Sequence, residues 1–332
     1  MNPHLSVVVP MFNEESVLPL FVERLRPVLD DLRASYEVVC VDDGSRDATP
    51  ALLERYRRAW PQLRVVRLRA NSGHQAAISA GLARARGDWA VTIDADLQDP
   101  PEVISEMLRV GTERGVDVVY GVRTDRSSDT FFKRVTAEGF YAVMARLGAR
   151  GAMNAGDFRM MSRATVDAVL ALPETNRVLR LAVPTLGFPS AEVGYRREER
   201  AAGRSKYPLS KMLRLSLDAV TGASSAPLRL ATWCGLLGLL VAFGVGAFAL
   251  WAKVMAHSVT GWASTIVVIS GFGAAQLLGL GLLGEYVGRM FAAVQARPTH
   301  YVAYDSLEES ALGRQPSIEH LAPEPAVIAH AS

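Results

Sequence analysis

Asp94 and Asp96 stand one residue apart behind the apolar run WAVTI, and Asp99 follows before a double proline in WAVTIDADLQDPP. Three carboxylates packed this closely repel one another by roughly 4 kcal/mol per close pair at an effective dielectric of about 20, so the arrangement calls for a cation. Two acids separated by a single residue at the rim of a buried strand suit a hard divalent ion with oxygen ligands, Mg2+ or Mn2+, which in turn holds phosphate oxygens. A diphosphate is the economical anion for such an ion. The same acids could instead cap the helix that the prolines open, and for Asp99 that is the expected role.

Other polar clusters end other apolar runs. VVVPMFNEE closes on Asn13, Glu14 and Glu15, and VCVDDGSRD on Asp42, Asp43 and a Gly44-Ser45 turn. Acids at such positions accept hydrogen bonds from ribose hydroxyls or a base N–H. GxGxxG does not follow any of these strand-like runs and GK[ST] does not occur, which argues against a nicotinamide dinucleotide site and against a P-loop.

The elements that must position these residues are legible as an alternation. LSVVVP, YEVVCVDD, RVVRL, WAVTID and VDVVYG read as buried strands, separated by helical stretches over 15–33, 49–60, 73–84 and 101–114. That is the pattern of a doubly wound, mostly parallel α/β sheet, in which ligands bind beyond the carboxyl ends of the strands. Helices over 131–147, 165–172 and 174–186, with strands at GDFRMMS and AEVGYRRE, complete the same domain, taken as 1–206.

Beyond it the composition changes. No charged residue lies between Arg229 and Lys253, and between Lys253 and Glu285 only His257 interrupts an apolar run. About 20 apolar residues in a helix cross a bilayer, so two membrane spans are expected, over 228–252 and 262–284, joined by a short external loop over 253–261. Trp233, Trp251 and Trp262 suit interfacial positions, and Arg214, Arg229, Arg289 and Arg297 place both ends of the pair, the catalytic domain and both termini on the cytoplasmic side of an inner membrane. Residues 207–227 read as an amphipathic helix on the membrane surface, 285–301 as a cytosolic juxtamembrane helix, and 302–332 as a disordered tail. The opening MNPHLSVVVP has no basic n-region, so no secretory signal is read there. A net charge of +2 gives no basic field for nucleic acid, and Cys40 and Cys234 have no spacing for a metal or a disulfide framework.

VPMFNEE, VDDGS, NSGHQAAISAGLARARGD, IDADLQDPPE, GDFRMMSR, RAAGRSKY and GEYVGRMF together resemble the polyprenyl-phosphate glycosyltransferases of glycosyltransferase family 2, over about Leu5 to Pro298. The resemblance implies a GT-A fold, a nucleotide diphosphate sugar donor, a polyprenyl phosphate acceptor, a divalent metal and inversion at the anomeric carbon. By position, Pro10, Asn13, Glu14 and Asp42 would hold the nucleoside, Asp94 and Asp96 the metal and diphosphate, and Gln98 would lie beside the metal. Asp43, Ser45 and His74 could join this site or could equally be turn formers or packing residues. Asp157 would position acceptor or sugar, with the bland alternative of a strand-edge acid paired with Arg159. Arg123, Lys133, Arg134, Arg200, Ser205 and Lys206 would hold the acceptor phosphate, in basic stretches that otherwise read as a solvated face. Tetramers occur in some members, so self-association is implied, and Gly284 and Gly288 form a GxxxG that agrees with it. The rivals are a processive polysaccharide synthase, whose QxxRW motif is missing, and a noncatalytic membrane regulator on the same fold.

Overall fold

The computed structural model describes residues 2–124, 155–172, 178–198, 262–295 and 297–311, with scattered positions between 231 and 255. Strands β1 (Leu5–Met11), β2 (Tyr36–Asp42), β3 (Leu63–Leu68) and β4 (Trp89–Thr92) alternate with helices α1 (Leu18–Asp31), α2 (Thr49–Ala59) and α3 (His74–Leu82), as the apolar runs predict. Next come α4 (Val103–Arg114), β5 (Val118–Arg123), β6 (Ala155–Ser162), α5 (Arg163–Ala171), α6 (Leu179–Thr185) and β7 (Ser190–Tyr195). The described chain ends with α7 (Trp262–Gln295), β8 (Val302–Asp305) and α8 (Ser306–Ala311). The expected helix over 131–147 lies outside the described residues.

The strands form one sheet in the order β7-β5-β6-β4-β1-β2-β3-β8. Pairing is parallel for β1–β2, β1–β4, β2–β3 and β5–β7, while β6 runs antiparallel between β4 and β5. Alternate residues of the β-branched strands feed two apolar layers. Leu5, Val7 and Val9 pack with Phe21 and Leu25 of α1, Leu53 of α2 and Met107 of α4, whereas Val8 packs with Ile78 of α3, Val166 of α5 and Val183 of α6. Helices therefore cover both faces, which is why the strands are apolar throughout rather than alternating. The architecture is α/β and GT-A-like.

The register opens the crevice. Pairing of β1 with β2 continues to Met11↔Asp42, but pairing with β4 stops at Val8↔Thr92. Pro10, which has no N–H to donate, sits just past the point where β4 parts from β1. The chain runs β1, β2, β3 to one side and then returns to place β4 on the other, so this gap is a topological switch point, where α/β sheets bind ligands.

Two expectations are corrected. The tail from Val302 is not disordered throughout: β8 closes the β3 edge in antiparallel pairing, with Val66↔Asp305 and Arg67↔Tyr304 in register, and α8 follows it. Buried charge explains why it docks. Asp305 meets Arg84 at 2.9 Å and Arg64 at 3.6 Å, Arg64 also donates to buried Glu37 at 2.8 Å, and Ser306 Oγ accepts from the Val65 N–H at 3.0 Å. The domain thus does not end at 206, because the chain rejoins the sheet unit at Pro298. Residues 312–332 lie outside the described residues. The second correction is smaller: α4 begins at Val103 rather than 101, with no side-chain cap, because the two prolines build the turn ahead of it.

A second compact unit holds α7, a continuous helix of 34 residues. Among the described residues, no helix is long and apolar enough to cross a membrane. Most of 228–252 lies outside them, as do several side chains of α7.

Candidate active site

The loops that leave the carboxyl ends of β1, β2, β3 and β4 lock one another. Asn13 takes a left-handed φ of 56°, which its short amide side chain tolerates, and its Oδ1 accepts from the Arg46 N–H at 2.9 Å. The Asn13 N–H donates to Ser45 Oγ at 2.9 Å and the Glu14 N–H to Thr49 Oγ1 at 2.8 Å. Asp43 accepts from the backbone of Ser72 and Gly73 at 2.7 and 2.9 Å, tying down the NSGH loop. Gly44 lies between them at φ 69°, and a Cβ there would come within 2.8 Å of the Ala70 carbonyl carbon. Asp43 and Ser45 are therefore turn formers, the plainer of their two expected roles.

Asp42 is fully enclosed, at 0 % exposure. One oxygen accepts from the Ser45 N–H at 2.8 Å, and the other, Oδ2, faces Arg67 Nε at 3.2 Å with no hydrogen bond. Pro10 is also buried, whereas Asn13 is exposed and Glu14 half-buried. The four residues expected at the nucleoside are thus brought together, with two of them presented to solvent.

The paired acids stand on the other side of the gap. Asp94 follows β4 by two residues, and its neighbour across the sheet is Asp157 on β6, held because Thr92 Oγ1 donates to the Asp157 carbonyl and Thr92 pairs in register with Arg159. His74, the first residue of α3, spans them: its Nε2 is 3.5 Å from Asp94 Oδ1 and 3.4 Å from Asp157 Oδ2. Asp157 also accepts from Gln75 Nε2 at 3.1 Å and from Arg159 Nη2 at 2.9 Å. Arg159 is 1 % exposed, donates to the carbonyls of Leu179 and Gly156 at 2.7 and 3.0 Å, and leaves its Nε without a partner. The expected Asp157–Arg159 pair exists, and it supports the site rather than replacing it.

These contacts split the two carboxyls. Burial, reinforced by the nearby carboxylates of Asp157, Asp99 and Asp96 and opposed by His74, pushes Asp94 up to about 6. Burial would raise Asp157 as well, but the His74 imidazole and the guanidiniums of Arg159 and Arg180 outweigh it and hold its carboxyl well below the usual range. His74 is raised, because its two acid neighbours outweigh its burial. Repulsion at Asp94 in the absence of a cation is what a divalent ion would relieve.

Asp96 accepts from the Gln98 N–H at 3.1 Å across Leu97, whose φ of 59° is unusual for a bulky side chain. The backbone between Asp96 and Gln98 is therefore held in a strained conformation that the surrounding contacts must maintain. Gln98 does not stand free beside Asp94. Its Oε1 accepts from Arg197, and its carbonyl accepts from the Glu198 N–H at 3.1 Å. Arg24 extends the pin, donating to both Glu198 and Glu102.

Asp99 is buried and does not cap a helix, contrary to expectation. It accepts from the Tyr195 hydroxyl and lies 3.8 Å from Arg123, because β7 pairs with β5 and carries Tyr195 to that point. Of the residues expected at the acceptor phosphate, Arg123 is thus placed at the Asp99 side of the crevice, half-exposed. Lys133, Arg134, Arg200, Ser205 and Lys206 lie outside the described residues.

The sequence left the part of His74 open and assigned none to Gln75. Their only signal was position, directly after a glycine at the start of a helix that faces the acidic loop. Among the described residues, no group of three or more His, Cys, Asp or Glu is arranged to hold a metal ion. Two carboxylates completed by substrate phosphate oxygens are nevertheless a usual donor set for Mg2+, so Asp94 and Asp96 fit the ion without a third protein acid.

Comparison with known proteins agrees with this arrangement. The family described as Glycosyl transferase family 2 matches residues 6–170. The chain is 42% identical to the uncharacterized glycosyltransferase YkoT of Bacillus subtilis (strain 168), over 95% of this chain and 96% of that one. It is 37% identical to the bactoprenol glucosyl transferase of Shigella phage SfII, over 90% and 97%. A crystal structure of glucosyl-3-phosphoglycerate synthase from Mycobacterium tuberculosis is similar at 22% identity over 66% of this chain and 78% of that one, with a TM-score of 0.49, a likeness too distant to carry any property across. With near-full-length relatives at this identity and acids gathered at the switch point of the sheet, the chain belongs to glycosyl transferase family 2 and is a glycosyltransferase.

Proposed function

We propose that the enzyme transfers a hexose from a uridine diphosphate sugar to polyprenyl phosphate at the cytoplasmic face of an inner membrane, with inversion at the anomeric carbon. Glucose is the sugar favoured by similarity to the phage bactoprenol glucosyl transferase. The observation that carries the reading is the convergence of Asp94, two residues before Asp96, and Asp157 on His74, at 3.5 and 3.4 Å, at the switch point of the sheet.

In the proposed reaction, an oxygen of the acceptor phosphate forms a bond to the anomeric carbon as the bond from that carbon to the donor's β-phosphate oxygen breaks. Nucleoside diphosphate leaves from the opposite face. Asp94 and Asp96 would hold Mg2+ or Mn2+, which when bound offsets negative charge on the diphosphate. A phosphate monoester has a second pKa of about 6, so the nucleophile is largely ionised at neutral pH and needs little help losing a proton. Asp157, its carboxyl held well below the usual range, is a poor proton acceptor at that pH. Its part is to orient acceptor or sugar, fixed by Arg159 and Gln75. Pro10, Asn13, Glu14 and Asp42 would form the nucleoside side, and Arg123, Lys133, Arg134, Arg200, Ser205 and Lys206 the phosphate-holding side.

Membrane attachment rests on the two charge-poor runs and on α7, whose Ile269, Leu277, Leu278, Leu280 and Val294 are exposed. Exposed apolar side chains in such number suit lipid better than water. Membranes containing the full chain, supplied with polyprenyl phosphate and a panel of labelled nucleotide sugars, test the proposal. Label should enter the lipid fraction from a uridine diphosphate hexose. Absence of label from every donor would overturn it.

A further inference from the structure

Arg180, the second residue of α6, belongs to no motif, yet the fold carries it to the Asp157 cluster. Its neighbour Leu179 is bonded there through both backbone groups: the N–H donates to Gln75 Oε1 at 3.0 Å, and the carbonyl accepts from Arg159 Nη1 at 2.7 Å. These bonds fix the first turn of α6 against the site. After burial, His74 and Arg159, the charge of Arg180 is the next to act on Asp157, and it also reaches His74 and Arg159.

Asp157 does not depend on Arg180 for a partner. One of its oxygens accepts from Arg159 and the other from Gln75, with His74 beside it. The Arg180 side chain is exposed and makes no hydrogen bond or ion pair with any described residue. An exposed guanidinium near a carboxylate whose two oxygens are both already bonded is a ready receptor for an oxyanion from outside. Its place in the sheet says which one. Asp157 lies on β6, across β4 from the loops of β1 and β2 that gather the nucleoside-side residues, so Arg180 stands at the end of the crevice away from the nucleoside.

We propose that Arg180 is a binding residue for the phosphate group of the acceptor, holding it on the Asp157 side of the sugar. The inference rests on the reaction proposed above. Initial rates of sugar transfer by the full chain, with UDP-glucose and polyprenyl phosphate varied separately, test it in wild type, Arg180→Ala and Arg180→Lys. Loss of a charge-assisted contact should raise the acceptor KM about ten- to hundredfold in Arg180→Ala, with Arg180→Lys recovering part of it. The donor KM should stay within about twofold, and the thermal unfolding midpoint should not move, because an exposed side chain is removed. An unchanged acceptor KM would overturn the assignment, and so would an equal rise in the donor KM, which would place the contact on the donor diphosphate. A wild-type chain that transfers nothing to polyprenyl phosphate would strike the parent reaction instead, before any variant is compared.

Discussion

Removing Asp157 should damage the fold as well as the reaction, and the size of that damage follows from Arg159. The guanidinium is 1 % exposed, its carbonyl partners carry no charge, its Nε has no partner, and Asp157 at 2.9 Å is its acidic partner among the described residues. Breaking a buried ion pair by deleting one member costs about 3–5 kcal/mol. Asp157 retains some solvent contact, which favours the lower end, about 3 kcal/mol. At about 2–4 °C per kcal/mol for a domain of this size, Asp157→Ala should lower the unfolding midpoint by about 6–12 °C. Asp157→Asn keeps an acceptor for Arg159 and loses only the charge, so its loss should be smaller. Asp94→Asn is the control with the opposite sign. Its carboxyl is pushed up by burial and by three neighbouring acids, so replacing it should leave the midpoint unchanged or higher while abolishing transfer. The assay is thermal unfolding of the purified full chain without added metal. An unchanged midpoint for Asp157→Ala, or a fall for Asp94→Asn as large as that for Asp157→Ala, would refute the electrostatic account of the site.

Two further expectations concern the frame. Gly44→Ala forces a Cβ into a left-handed φ of 69° and to within 2.8 Å of the Ala70 backbone, so it should cost about 2 kcal/mol or more and weaken UDP-glucose binding, read by denaturant unfolding and calorimetry. Burial alone would raise the Glu37 carboxyl, yet hydrogen bonds from Arg64, Ser6 and the Arg86 backbone hold it below its ordinary value of 4.5. A depressed folded-state value gives stability that is present above that pH and lost as the pH falls below it. Glu37→Gln should therefore be less stable than wild type at neutral pH and show a shallower loss on acidification, with parallel curves contradicting the network.

The alternation of strands and helices was legible because β-branched runs buried on both sides leave few other readings. The acids after β1, β2 and β4 were legible because they gather at the strand ends where α/β sheets bind ligands, although Asp43 serves the turn instead. What escaped depends on partners distant in sequence. Asp99 looked like a helix cap until Tyr195 reached it from β7. β8 is four residues in a stretch whose composition reads as disordered, and it is held by Arg64 and Arg84, which taken alone read as surface charges. His74 acquires its place only when β6 inserts between β4 and β5 and sets Asp157 beside Asp94.

In the proposed reaction, Asp94 and Asp96 serve a cation-assisted sugar transfer to a lipid phosphate. Its most direct test is the yield of glycosylated polyprenyl phosphate from UDP-glucose in wild type and Asp96→Asn, each with a chelator and then with Mg2+ or Mn2+ restored. Wild type should stop on chelation and recover with the ion, and Asp96→Asn, though folded, should stay about a hundredfold or more below wild type once the ion is restored. Wild-type transfer that persists through chelation, or an Asp96→Asn yield close to wild type with saturating ion, would contradict it.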